Sequence, residues 1–323
     1  MSPSRTRFIG LLPVRDEGDI IQESLVHALG WADRIIVYDT GSVDNTYDIV
    51  KDMAKADDRI RLIGSEPVYF NENRVRGLLF NAARSELKDG DWFLRIDTDE
   101  FHHLSPKDFV ETRLKPGEGV VYHQYYDFQL THSEAEALKV EDQIASERMK
   151  PIADRRRSYT ISEYAEPRMC RYRSSMRWPV DVSFPYNAGL VAQERLPIRH
   201  YPHRDPHQLE RRCKLRVIMM ADRENRGIWG NPDAFHWSVE DWRSFLVKDD
   251  EPNLQRWEPG TELPEVQQTN HLATGRRRLT QRAIYALGLP RALDLTRASW
   301  RDDAYPLPIS SETQGILARE LGT

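Results

Sequence analysis

The chain is short of several things, and each shortage excludes something. It has two cysteines in 323 residues, Cys170 and Cys213, and neither has a second cysteine or a histidine at zinc-finger spacing. A disulfide scaffold and a structural zinc site are therefore excluded, and a reducing cytoplasm fits. No run of about 18 apolar residues could span a bilayer as a helix. No basic-then-apolar leader precedes "RFIGLLPV", so the expectation is against secretion by a cleaved signal. Positive charge is not in excess: 46 Lys and Arg face 51 Asp and Glu, a formal net charge of −5. General nucleic-acid binding, which needs a basic face, is not expected. Internal repeats and low-complexity tracts are also missing. What remains is a cytoplasmic globular protein, one large domain or one domain with an extension.

Over the first hundred residues there is a rhythm. "RFIGLLPV" is an apolar run through Pro13 and Val14. In the "RDEGDIIQESLVHAL" that follows, Ile20, Ile21, Leu25, Val26 and Leu29 recur at helical spacing. "RIIVYD" reads as a second strand, and "TGSVDNTYDIVKDMAK" turns through Gly41 into a helix with Ser42 or Asp44 at its N-cap. "IRLIGS", "RVRGLLFNAARSELK" and "DWFLRID" supply a third strand, a third helix and a fourth strand. Alternation of this kind predicts an α/β fold: a mostly parallel, Rossmann-like sheet with helices on both faces. Ligands of such sheets bind beyond the carboxyl ends of the strands. Residues 13–17, 39–44 and 97–100 all lie there, so three acidic strand ends are expected to meet at one edge.

After Leu104 the rhythm changes. "GEGVVYHQYYDFQL" reads as a strand, a polar segment to about Thr160 has weak periodicity, and "EYAEPRMCRYRSSMRWPVDVSF" reads as short β structure. "IRHYPHRD" ends a strand at His200, and a long helix follows from Pro206. The division expected is a main unit over residues 1–228, with halves 1–104 and 105–228, and a mostly helical extension over 229–323.

"WFLRIDTDEFHH" poses a charge problem: an apolar strand ends in Asp97, Asp99 and Glu100. Three carboxylates in four residues repel one another, and burying one unpaired costs several kcal/mol. A solvated acidic turn is the commoner use of such a tripeptide. At the ligand-binding edge of a sheet, hard oxygen ligands on a short turn also suit Mg²⁺ or Mn²⁺ bridging to phosphate oxygens.

"LLPVRDEGDIIQESL", "WADRIIVYDTGSVDNTYDIV" and "DGDWFLRIDTDEF" resemble the successive signatures of glycosyltransferase family 2, which has the GT-A fold. The resemblance runs from about Phe8 to Phe101 and then fades. It aligns Asp39-Thr40-Gly41-Ser42-Val43-Asp44-Asn45-Thr46 with a D-x-x-S-x-D-x-T pattern and Asp97-Thr98-Asp99 with the DxD motif. The resemblance implies an inverting, metal-dependent transfer of a sugar from a nucleotide diphosphate donor, UDP by default, to a hydroxyl of a glycan or lipid-linked acceptor. Surface polysaccharide or another glycoconjugate would be the product.

Roles follow residue by residue. Pro13, Val14, Asp16 and Glu17 would lie along the base and ribose, and Asp39 would accept a hydrogen bond from the base ring. Asp97 would approach the ribose and the metal's water shell, Asp99 would ligate Mn²⁺ or Mg²⁺, and His200 would complete the coordination. Asp44 is kept as structural. Where relatives carry an Arg-Asn pair on the third helix, this chain reads Phe80-Asn81. Arg76, one turn earlier, and Arg74 are the candidates to face the donor, and a solvated helix charge is the alternative for both. For the general base the candidates are Asp181, Glu166 and Asp127. Asp181 follows Trp178 as in the family's acceptor segment, although the His-Glu pair often found there is absent. A sugar-phosphate nucleotidylyltransferase would need a Gly-rich basic loop after the first strand, which "LLPVRDEGDII" is not. A nucleotide-sugar or glycan-binding protein without turnover is the other rival. "RRRLTQRAIYALGLPRALDLTRASW" near the C-terminus fits either a helix on an anionic membrane surface or, more commonly, a helix packed on the domain with a solvated basic face.

Overall fold

Alternation in the first strand sets the layers. In β1 (Phe8–Val14) every residue is buried; Phe8, Leu12 and Val14 join one apolar cluster, while Ile9 and Leu11 join the other. Burial on both faces is what a central parallel strand requires. The computed structural model describes residues 5–69, 72–179, 182–185, 187–226, 241–266, 275–296 and 306–322. After β1 come α1 (Ile21–Leu29), β2 (Arg34–Asp39), α2 (Thr46–Ala56), β3 (Ile60–Ser65), α3 (Glu72–Ala83), β4 (Trp92–Arg95), β5 (Glu100–His102), α4 (Pro106–Thr112) and β6 (Glu118–Phe128). The chain continues with α5 (His132–Glu136), α6 (Glu141–Arg148), α7 (Ile152–Arg155), β7 (Ser158–Ile161), β8 (Pro167–Arg171), β9 (Leu190–Val191), β10 (Leu196–His200) and α8 (Pro206–Asn225). The remaining elements are β11 (Gln255–Arg256), α9 (Gly275–Ala286), α10 (Pro290–Thr296) and α11 (Ser311–Leu321).

The sheet runs β3-β2-β1-β4-β8-β6-β7-β11, with β9 and β10 paired to β6 and β5 paired to β10. The first four strands are parallel, as their rhythm predicts. The second half is mixed: β8 runs antiparallel to β4 and β6, while β10 runs parallel to β6. Helices cover both faces. Leu25 of α1, Val50 of α2 and Phe109 of α4 pack on one; Val75, Leu79 and Phe80 of α3 pack on the other beside Trp178.

The segment of weak periodicity forms the short helices α5 to α7, fixed by local caps rather than by an apolar stripe. Thr131 and Glu134 make a capping box at the start of α5. At the C-terminus, Leu317 and Leu321 of α11 pack with Leu215, Ile218 and Met219 of α8, and Asp222 of α8 accepts from Tyr69 Oη and Ser310 Oγ. Where it is described, the expected extension holds the helices α9, α10 and α11 together with the short strand β11 and irregular chain over 241–266, and the boundary at 228/229 lies outside the described residues. Among the described residues no helix is long and apolar enough to cross a membrane.

Three histidines cluster at β5: His102 on that strand and His123 on β6 are buried, and His27 on α1 is half-buried. His102 and His123 lie edge-on with ring centroids 5.1 Å apart, and His27 stacks on His102 at 6.4 Å. Burial lowers His27 to about 4 and holds His102 and His123 well below the ordinary histidine value. All three are therefore neutral in the folded protein yet take up protons when unfolded below about pH 6.5. The unfolded state then binds more protons, so stability falls as the pH drops from about 6.5 toward 4. The expected slope is up to about 1.4 kcal/mol per pH unit for each histidine. Melting temperatures between pH 7.5 and 4.5 check this: His123→Gln should flatten the acid limb, and an unchanged limb would remove the histidines as its cause.

Candidate active site

The strand order β3-β2-β1-β4 places a topological switch between β1, whose successors run to one side, and β4, which returns on the other. The crevice beyond these two carboxyl ends is where an open α/β sheet holds ligands. The loops after β1 and β2 are zipped together at its rim. Asp16 Oδ1 accepts from Val43 N at 2.8 Å, Glu17 N donates to Thr46 Oγ1 at 2.8 Å, and Gly18 N donates to Asp44 Oδ2 at 3.1 Å. A side chain at Gly18 would collide with Asn45, its Cβ 1.9 Å from Oδ1. Gly41 has φ +91° and its missing Cβ would lie 2.5 Å from Pro67 Cα, so the turn needs glycine there. Asp44 also accepts from Thr46 N at the start of α2, the structural part expected of it, while Asn45 occupies the N-cap position without a side-chain bond.

Several nucleotide-side expectations change. Pro13 and Val14 are buried at the carboxyl end of β1, and Val14 belongs to the core. Asp39 is fully buried, and its carboxylate accepts from Gly41 N, Ser42 N, Ser42 Oγ and Ser65 Oγ. It organises the β2–α2 turn and offers a base ring no exposed oxygen. Glu17 and Asp19 both pair with the buried Arg204, which reaches Asp19 at 2.7 and 2.8 Å. Burial raises the Glu17 carboxyl to about 8, with Arg204 opposing and Asp99 and Asp19 adding repulsion.

At the end of β4 the charge problem has an arginine answer. Asp97 Oδ1 pairs with Arg76 Nη2, and Oδ2 with Arg168 Nη1 at 2.7 Å. Arg76 is fully buried and also donates to the carbonyls of Leu11 and Ile96, at 3.2 and 3.1 Å. It is a buttress for Asp97 rather than a free phosphate contact or a solvated charge; Arg74, two residues earlier on α3, is half-buried. Arg168 uses its whole fork: Nε donates to Tyr125 Oη at 2.7 Å, and Nη2 pairs with Glu100 at 2.7 Å and with Glu166. Glu166 also meets Arg95 Nη1 at 3.3 Å. Burial works against ionisation of Asp97, but Arg76, Arg168 and Arg95 hold it well below the usual carboxylate range. Glu100 is pushed up to about 8 by burial, against Arg168 and with Asp97.

Asp99 points elsewhere. Its Oδ2 is 3.7 Å from His200 Nε2 and 3.7 Å from Arg212 Nη1, while Tyr201 N donates to its backbone carbonyl at 2.8 Å. His200 sits in register with Glu100 across β5 and with Asp127 across β6. Its Nδ1 is 2.7 Å from Asp127 Oδ1, which fixes that nitrogen as the donor and leaves Nε2 facing Asp99. A carboxylate holding one imidazole nitrogen so that the other can ligate is a standard metal-site arrangement. Asp99 and His200 form a two-residue donor set; among the described residues no group of three or more His, Cys, Asp or Glu is placed to hold an ion. Such a pair fits a cation whose other ligands are phosphate oxygens and water.

Asp181 lies outside the described residues. Trp178 is core, packed on Phe80 and Phe93, and its Nε1 donates to Val182 O at 2.8 Å. Of the other base candidates, Glu166 is locked in ion pairs and held below the ordinary glutamate value by Arg168 and Arg95 despite burial. Asp127 is bound to His200.

The family model described as Glycosyl transferase family 2 matches residues 11–174, about half of the chain. The chain belongs to this family. A comparison with curated proteins found no match. Among solved structures, it is similar to the mannosyltransferase PcManGT from Pyrobaculum calidifontis in complex with GDP-Man and Mn2+, at 12% identity over 98% of this chain and 79% of that chain, TM-score 0.35. It is also similar to glucosyl-3-phosphoglycerate synthase from Mycobacterium tuberculosis in complex with Mn2+, UDP and glucosyl-3-phosphoglycerate, at 17% identity over 71% and 82%, TM-score 0.31. The α/β sheet of this glycosyltransferase agrees with the GT-A fold expected of it.

The sequence reading of the glycosyltransferase missed its main cations. Arg204, Arg211, Arg212 and Arg216 come from the loop after β10 and from α8; Arg211 Nη2 is 3.4 Å from Asp16 Oδ1, and burial beside Arg212 lowers Arg216 to about 9. A hint was available: α8 starts six residues after His200, and Arg212 and Arg216 share a helix face. Arg168 carried no such hint, because nothing local marks an arginine 71 residues from Asp97. Replacing Arg76 with Met should destabilise the protein by about 3 kcal/mol, because it strips one partner from a largely buried ion-pair network. A urea titration measures it; a loss under about 0.5 kcal/mol, the range of a solvated charge, would contradict the buttress.

Proposed function

We propose that this glycosyltransferase moves a sugar, with inversion, from a nucleotide diphosphate donor to an acceptor hydroxyl with the help of Mn²⁺ or Mg²⁺. The observation that carries the reading is the Asp99–His200 pair at the carboxyl edge of the sheet, its imidazole tautomer set by Asp127 and its surroundings lined by arginines of α8. Asp99 and His200 would hold the cation, and the nitrogen ligand tips the choice toward Mn²⁺ over the strictly oxygen-seeking Mg²⁺. When bound, the cation supplies charge stabilisation for the departing diphosphate.

The chain's own residues do the rest. Arg76 and Arg168 keep Asp97 ionised and aimed, which suits it to the ribose and the water shell rather than to direct ligation. Arg212 and Arg216 take the part expected of an arginine on the third helix and face the diphosphate. Asp16 and Glu17 line the nucleotide side of the crevice. Asp181 is the proposed general base, because Glu166 is neutralised by two arginines and Asp127 is engaged by His200; a base needs both reach and a pKa near the working pH. The acceptor is a glycan or lipid-linked hydroxyl and the default donor a UDP-sugar. Residues 1–228 would form the catalytic unit.

A thermal-shift panel of UDP-, GDP-, CMP- and dTDP-sugars, each with and without Mn²⁺, tests the reading. One nucleotide should stabilise the protein only with metal, by about 2.7 kcal/mol at a concentration 100-fold above its Kd. Asp99→Ala and His200→Ala should each abolish that metal-dependent shift while retaining a cooperative melt. An unchanged shift in Asp99→Ala would sink the metal assignment. Binding without donor hydrolysis or transfer would turn the protein into a nucleotide-sugar receptor.

A further inference from the structure

Helix α9 is amphipathic in the unusual sense. Three of its polar side chains face the protein: Arg278 Nη2 donates to Glu118 Oε1 at 2.7 Å, Tyr285 Oη donates to Asn187 O at 3.0 Å, and Gln281 Oε1 accepts from Val191 N at 3.4 Å. These anchors place residues 278, 281 and 285 on one side of the helix. The opposite side carries Leu279, Ala283 and Ala286, and Leu287 follows in the turn after the helix; all four are exposed. Leu279 is 66% exposed, Leu287 71% and Leu289, in the turn to α10, 41%. A soluble surface helix normally shows the reverse pattern, and a cluster of exposed leucines on one short stretch marks an interaction surface.

Charge says what covers it. Arg276 and Arg282 flank Leu279 at i−3 and i+3 on the helix, and Arg277 follows next to Arg276; all three are exposed. From Gly275 to Leu293 the sequence contains five arginines and no Asp or Glu. Of the three acids that approach this region, Glu118 is satisfied inside by Arg278 and Asp294 by Arg173 at 3.1 Å. Arg291 pairs with Asp89. Among the described residues no carboxylate bonds to the side chain of Arg276, Arg277 or Arg282. An apolar strip with basic borders, held out from the body by polar anchors, is complementary to the headgroup region of an anionic bilayer, which accepts both the leucines and the guanidinium groups.

We propose that the α9–α10 face docks on the surface of an anionic membrane, with Leu279, Leu287 and Leu289 entering the headgroup boundary and Arg276, Arg277 and Arg282 meeting lipid phosphates. This does not depend on the metal site and stands or falls separately from it.

The full chain is sedimented with vesicles of phosphatidylcholine alone and of phosphatidylcholine mixed with phosphatidylglycerol, at low and high salt. Binding to the anionic vesicles alone, weakened by salt, is expected. The double variants Leu279→Glu/Leu287→Glu and Arg276→Glu/Arg282→Glu should each bind roughly tenfold more weakly or worse, since each removes apolar insertion or reverses the charge. All four positions are exposed, and an unchanged melting temperature confirms that each variant is folded. Absence of binding by the unmodified protein, or equal binding by the variants, overturns the proposal. So does light scattering that shows a dimer dissociated by Leu279→Glu/Leu287→Glu, because the face would then belong to a second copy of the chain.

Discussion

The pair of salt bridges from Arg76 and Arg168 to Asp97 is the constraint on which the site depends. It ties α3, β4 and β8 together at one carboxylate, and through Glu100, Glu166 and Tyr125 it extends to β5 and β6. Three arginines (Arg76, Arg95 and Arg168) meet three carboxylates (Asp97, Glu100 and Glu166), so the cluster is balanced in formal charge. Balance is what makes such burial tolerable: removing one partner leaves the others desolvated and unpaired. The result is a rigid Asp97 and, two residues on, an Asp99 free to turn toward His200.

A second clamp works at the opposite side of the crevice. Arg204, on the loop after β10, grips Glu17 and Asp19 on the loop after β1, so the late part of the chain closes on the early part. α8 continues from that loop and carries Arg211, Arg212 and Arg216 along the crevice. Its far end is held by α11, where Asp222 gathers Tyr69 and Ser310. The C-terminal helix therefore supports the position of the arginines although it lies away from the chemistry. The acidic strand ends and the basic helix offset each other only in part, since burial, with Asp99 and Asp19 adding repulsion, still outweighs Arg204 and raises the Glu17 carboxyl.

How much was legible depended on whether the cause was local. The four parallel strands were readable because β1, β2 and β4 are apolar almost throughout and β3, at the sheet edge, follows a clear helix, all punctuated by Gly, Pro and Asp. β5 and α4 were passed over because three and seven residues carry too little period to register. α5 to α7 were invisible to periodicity, although the T-x-x-E pattern of Thr131 and Glu134 was there to be read. The acidic turn at Asp97–Asp99 and the placement of His200 were both read correctly in position. The side-chain partners of Asp39 and Arg76 were not. Each sits at the expected place in the chain, yet Asp39 faces its own turn and Arg76 points inward at Asp97.

The sequence by itself determined the α/β alternation, the meeting of acidic residues beyond β1, β2 and β4, and membership of the glycosyltransferase family. Those properties reside in short segments whose apolar spacing and turn residues act within a few positions of one another. Only the tertiary structure decided which cation answers which carboxylate. Arg168 reaches Asp97 across 71 residues and Arg204 reaches Glu17 across 187. The side chain's length and charge permit many partners, and the packing of β8 and α8 against the sheet selects one. The outward turn of Leu279 and Leu287 was settled in the same way, by the polar anchors that Glu118 and Asn187 provide from elsewhere in the chain.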